Sequence, residues 1–135
     1  MKDKLDKLGL NPKNSVVIGS GILQALKIRN SNDIDIVASK NAYDRLKESG
    51  KFSAHLSKRK KEILKNDLFE IGTSWDVLGK RYELNDFNND SEIIEGVRYI
   101  TLDFLYGVKE NWLKEGTARP KDITDLKLIK KYKKQ

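Results

Sequence analysis

Apolar residues recur along the chain in short runs, and the spacing within each run names an element. Residues 2–8 set Leu5 and Leu8 on one face and predict a short first helix, followed by a turn from Asn11 to Asn14 around Pro12. Val16-Val17-Ile18 is an unbroken apolar triplet, the pattern of a strand covered on both faces. Gly19-Ser20-Gly21 breaks it. Ile22 to Ile28 then reads as a helix with Ile22, Ala25 and Leu26 toward a core, and Asn30-Ser31-Asn32 as a polar turn. From Asp33 to Ala38 the period changes to two, with Ile34 and Ile36 on one face of a strand and Asp33 and Asp35 on the other. Ser39 is positioned to cap a helix running to about Glu48 and stopping before Gly50.

The middle of the chain is less regular. Phe52 to Leu56 predicts a strand, Lys58-Arg59-Lys60-Lys61 a basic turn, and Leu68 to Ile71 a further strand that reaches toward Trp75. Residues 79–91, rich in Asn and Asp, read as a loop. Ile93-Ile94, the Glu95-Gly96 pair and Val97 to Ile100 predict a hairpin. Thr101 caps a helix from Leu102 to about Leu113, which Gly116 ends. Pro120 opens a last helix with Ile123, Leu126, Ile129 and the stem of Lys130 along one stripe, and the KKYKKQ tail is expected to fray. The sum is a small α+β domain spanning 1–135, with too few crossover helices for a doubly wound sheet.

Composition narrows the partners. The formal charge of +7 favours something anionic, such as nucleic acid, a nucleotide or an acidic lipid, although a lysine-rich solvated surface explains it equally well. The runs KRKK and KKYKK are read as solvated charge. The chain has no cysteine, which excludes disulfides, thiolate zinc sites and cysteine nucleophiles and fits a reducing cytoplasm. MKDKLDKLGL lacks the apolar segment of a secretory leader, and no stretch approaches the roughly 20 apolar residues of a membrane helix, so no membrane partner is expected. His55, the single histidine, is expected at or near the surface, and Trp75 and Trp112 in the core rather than as base-stacking platforms.

The candidate chemistry lies in the first third. Alternate residues of a strand project to one side, so the Asp33 and Asp35 Cα atoms should stand about 6.5 to 7 Å apart with their carboxylates side by side. Carboxylates that close repel unless a cation lies between them, and magnesium suits such an oxygen pair when substrate phosphates complete its shell. The ordinary reading is a solvated strand face. Gly19 and Gly21 let a ligand approach the main chain, and the amides at the start of the next helix would favour an anion. The ordinary reading is a tight strand-to-helix connection. The turn lacks the third glycine of a dinucleotide fingerprint and the Gly-Lys-Ser/Thr of a P-loop.

Taken together, Ile18-Gly19-Ser20, twelve residues, and Asp33-Ile34-Asp35-Ile36 resemble the signature of the nucleotidyltransferase superfamily, the fold of DNA polymerase beta and the CCA-adding enzymes. The resemblance implies a mixed β-sheet flanked by helices. It implies a catalytic pair at Asp33 and Asp35, which would bind two magnesium ions, and contact of Gly19 and Ser20 with the triphosphate of an NTP substrate. The family's third carboxylate, on a later strand, matches Glu70 in Leu68-Phe69-Glu70-Ile71, with Asp76 as the alternative. Arg119-Pro120-Lys121-Asp122 and Asp125 resemble the closing segment of small bacterial members, where Arg119 and Lys121 would reach phosphate or pair with the two aspartates. Lys109 and Lys114 could also face the nucleotide. The implied activity is transfer of a nucleoside monophosphate to a hydroxyl of RNA, protein or a small molecule. A homodimer or partner subunit would supply the acceptor surface. Rival readings are an inactive nucleotide- or nucleic-acid-binding module on the same fold and a toxin–antitoxin component.

Overall fold

The apolar triplet becomes β1 (Ser15–Ile18), buried along its whole length in the interior of a seven-stranded mixed sheet. The computed structural model describes residues 1–57 and 60–135, so part of the expected basic turn, Lys58 and Arg59, lies outside the described residues. β2 (Ile34–Ala38) runs antiparallel to β1 on one side, and β9 (Val97–Ile100) runs parallel to it on the other. Beyond β2 come β5 (Phe69–Gly72), parallel to it, then β4 (Glu62–Lys65) and the edge strand β3 (Ser53–Leu56). β8 (Ser91–Ile94) forms the other edge. A separate two-stranded sheet pairs β6 (Ser74–Val77) with β7 (Lys80–Glu83).

Five helices accompany the strands among the described residues: α1 (Lys2–Lys7), α2 (Gly21–Ala25), α3 (Lys40–Glu48), α4 (Leu102–Glu115) and α5 (Pro120–Lys133). Ile22, Leu23, Leu105 and Ile129 from the helices close over Ile36, Leu64, Ile71 and Ile100 from the sheet, all with almost no exposure. The caps form where the residue types ask for them. Ser39 Oγ accepts from the Ala42 N–H at 3.2 Å and Thr101 Oγ1 from the Phe104 N–H at 3.1 Å. Gly116 closes α4 in the left-handed region at φ 75°. None of the helices in the described residues is long and apolar enough to cross a membrane.

Several expectations fail for physical reasons. α2 stops at Ala25, well short of Ile28. The Ile28 N–H donates to the Leu23 carbonyl at 2.8 Å, the Lys27 N–H to Gln24 at 3.0 Å, and Lys27 turns left-handed at φ 61°. This is a Schellman end with lysine where glycine is usual, which hides it from a sequence reading. Leu23 therefore joins Ile22 in the core while Ala25 and Leu26 are half-buried. Asp33 lies one residue before β2 rather than inside it. β4 was not anticipated, and the loop expected over 79–91 contains β7 and a 3-10 turn at Leu84–Phe87. The strand expected to reach Trp75 stops at Gly72, and Trp75 belongs to β6. The tail does not fray from its first lysine: α5 continues to Lys133, whose ammonium pairs with Asp103 of α4. On α5, Ile123 and Lys130 are exposed and the buried stripe holds Asp122 and Asp125 beside Leu126 and Ile129.

Candidate active site

Register brings the first carboxylates together. Asp35 on β2 stands directly beside Glu70 on the parallel neighbour β5. Adjacent strands lie about 4.8 Å apart, so side chains on one face at matching positions crowd each other. Burial and then the Glu70 carboxylate, by charge and by hydrogen bond, push Asp35 up to about 7; Asp33 adds to the effect and Arg119 opposes it.

A pH signature follows. A carboxyl whose pKa rises from 3.8 to about 7 on folding costs the folded state stability as pH climbs through that window, by on the order of 4 kcal/mol at most. Asparagine carries no such cost. In metal-free protein, Asp35→Asn is expected to match the wild type near pH 4 and to unfold at higher denaturant near pH 8. Urea melts at the two pH values check this, and equal wild-type and variant midpoints at pH 8 would refute it.

The two glycines of the turn have different reasons. Gly19 sits at φ 64°, and a Cβ there would stand 3.1 Å from Asp35 Oδ2. Gly21 has an ordinary φ, but its Cβ would lie 2.4 Å from Val17 Cγ1, so only glycine lets the start of α2 close on β1. Ser20 Oγ and Ser31 Oγ share a hydrogen bond of 2.9 Å across the mouth of the turn. Gly19→Ala is expected to cost about 1–2 kcal/mol of stability from the left-handed backbone alone and to displace the Asp35 carboxylate. Urea denaturation checks the first effect, and the pH dependence of the variant's stability the second.

Opposite the acids stands a cationic wall built around buried aspartates. Arg29 Nε and Nη2 donate to the two oxygens of Asp125 at 2.6 and 2.8 Å. Lys109 Nζ lies 2.7 Å from Asp122 and 3.2 Å from Asp125. The Arg119 N–H donates to Asp122 Oδ2 at 2.9 Å, and its guanidinium approaches the same carboxylate at 3.3 Å. Burial alone would raise Asp122; the Lys109 bond and the Arg119 backbone N–H outweigh it and hold the carboxyl at about 2. Asp125 is lowered against its own burial by Arg29 and Lys109. Arg29, Lys109 and Arg119 thus face two carboxylates, leaving an excess positive charge on this wall.

Acids, turn and cations line one cavity of about 310 Å³. Gly19, Ser20, Asp33, Asp35, Glu70, Arg119 and Lys121 all border it, so the residues singled out in four separate segments come to one place. Asp76 does not: it pairs with Lys61 at 3.2 Å and Arg81 at 3.1 Å, and it borders a different cavity of about 430 Å³ between the β6–β7 turn and α4. Lys114 pairs with Glu110 at 3.7 Å on its own helix. Among the described residues no three acidic, histidine or cysteine side chains converge tightly enough to form a ready-made cation site. Comparison of the chain with protein-family models, curated proteins and solved structures finds no match.

Sequence reasoning missed Arg29, Ser31 and Asn32, which also border the cavity, and did not foresee that Trp75 and Trp112 border it too. Both indoles pack against the core, as expected, yet both are half-buried and line the site. A signal for the cationic wall was present: Asp122 and Asp125, one helical turn apart on α5, share the interior face with Leu126 and Ile129 and need buried cations to answer them.

Proposed function

We propose that the chain transfers a nucleoside monophosphate from a nucleoside triphosphate to an acceptor hydroxyl, on a fold of the nucleotidyltransferase type. The observation that carries this reading is the convergence of the Gly-Ser turn, the Asp-x-Asp pair, Glu70 and the Arg-Pro-Lys segment on one cavity. A mixed sheet with β1 and β2 side by side, the turn at the end of one and the aspartates at the start of the other, is consistent with it.

By ligand type the donor set suits magnesium. All three acids offer hard oxygen ligands, and Asp35 and Glu70 crowd each other at matching strand positions, with Lys65 Nζ 4.0 Å from Glu70; the three acids would have to draw together to hold the ion. Asp33, Asp35 and Glu70 would hold the metal. The chemistry it supplies when bound is neutralisation of polyphosphate charge and a lower pKa for a coordinated hydroxyl. The other roles belong to the chain itself. Ser20 Oγ and the amides of the glycine turn donate to the outer phosphate oxygens; with five residues, α2 adds little dipole, so these donors do the holding. Arg119 and Lys121 neutralise charge on the leaving pyrophosphate. Glu70 takes the proton of the acceptor hydroxyl at its carboxylate. Positioning and charge neutralisation are what phosphoryl chemistry chiefly needs.

The test is pyrophosphate release from labelled nucleoside triphosphates with magnesium, over a panel of RNA ends, protein hydroxyls and small-molecule hydroxyls. Binding of magnesium nucleotide with no release on any acceptor would favour the inactive binding module.

A further inference from the structure

Within the proposed nucleotidyl-transfer reading, on which this inference rests, we propose that Trp75 and Trp112 form the seat for the nucleobase, so that the cavity selects a nucleotide over a bare polyphosphate. The cavity is otherwise ionic, and a triphosphate gains nothing from an indole. Yet Trp75 from β6, Trp112 from α4 and Leu105 form an apolar corner on its wall. Each tryptophan is half-buried, anchored to the core on one part of its surface and bordering the cavity with another.

The two rings meet edge to face, with centroids 6.5 Å apart and planes at 77°. Two aromatic walls near a right angle accept a third flat ring stacked on one and edge-on to the other, the arrangements that aromatic quadrupoles favour. The corner is held in place. Trp75 leans on Phe104 at 6.3 Å, and Lys109 Nζ stands 5.7 Å from the Trp112 centroid while bonded to Asp122. One buried lysine therefore ties the aromatic corner to the cationic wall. A ligand that satisfies both must carry a polyanion and a flat ring in one molecule, which is the chemistry of a nucleotide. Base–aromatic stacking tolerates any base, so the seat distinguishes nucleotide from polyphosphate more strongly than one base from another.

The chain has only these two tryptophans, so all of its tryptophan emission reports on this corner. The experiment titrates the full chain with magnesium ATP and, separately, with magnesium tripolyphosphate, following emission and heat. Stacking of one base predicts that ATP binds about tenfold or more tighter than tripolyphosphate and quenches the emission, while tripolyphosphate leaves it nearly unchanged. Trp75→Leu and Trp112→Leu should each bring ATP affinity toward that of tripolyphosphate without altering the latter, which also serves as the check on folding. Equal affinities, ATP binding without a change in emission, or retention of the preference in both variants overturns the seat and leaves the phosphate site standing. Failure of both ligands to bind overturns the transfer reading and the seat with it. The wild-type emission arm needs no variant, so the outcome does not depend on how well the leucine proteins fold.

Discussion

Asp35→Asn and Asp33→Asn are each expected to cut the proposed nucleotidyl transfer by about a thousandfold or more, the scale of losing a group that neutralises phosphoryl charge, while different effects on stability separate the two. Asp35 is enclosed beside Glu70, and its ionisation opposes folding, so its asparagine variant gains stability at pH 8 as it loses turnover. Asp33 is exposed just before β2, so its asparagine variant should stay within about 0.5 kcal/mol of wild type. Initial rates of pyrophosphate release, measured beside urea melts of the same preparations, test both halves. Wild-type rates in either variant would remove the aspartates from the chemistry. A destabilised Asp35→Asn at pH 8 would mean that the crowding between β2 and β5 has been misjudged. On the proposed reading, the expected pattern is that of a site which accepts repulsion in the folded state in exchange for binding a cation.

The largest stability loss is expected from Asp125→Ala. Its carboxylate is fully buried, accepts both Arg29 bonds and lies 3.2 Å from Lys109. Removing one partner of a buried pair leaves the other's charge without compensation, at a cost of about 3–5 kcal/mol. Arg29→Met together with Asp125→Leu removes both charges and should recover much of that loss, because the penalty lies in the orphaned charge rather than in the bridge. Urea denaturation of the single and double variants decides this. If the double variant is no better than Asp125→Ala, the bridge itself contributes the stability.

The carboxylate side of the cavity was legible because its signals are local. The period-two alternation around Ile34 and Ile36 sets the faces of β2, and an unbroken apolar triplet marks β1 as interior; caps at Ser39 and Thr101 and the Glu95-Gly96 turn also need only neighbours in sequence. What failed depends on distant partners. α2 ends through a left-handed Lys27, a conformation no propensity assigns to lysine. β4, Glu-Ile-Leu-Lys, is too short to carry a period of its own, and it is a strand because β3 and β5 pair with it from either side. Ile123 follows a helical stripe on paper, but the interior face of α5 is claimed by Asp122 and Asp125, whose counter-charges come from Arg29 and Lys109. The tryptophans look like core residues and do pack against the core; that both also border the cavity follows only from where β6 and α4 lie in the fold.

The Arg29–Asp125 bridge joins positions 96 residues apart. Contacts that close so long a loop carry a large entropic cost and tend to form late. During refolding, then, β1, β2 and β5 can gather the acids before α5 has docked and brought Arg119 and Lys121 to the cavity. In that interval the wall lacks Arg119 and Lys121 and its other cations are not yet fixed by Asp122 and Asp125, so on the proposed reading full capacity to capture polyanions should return only with the slowest kinetic phase. Added nucleotide would accordingly leave the early phases untouched and act as a lock on the finished molecule.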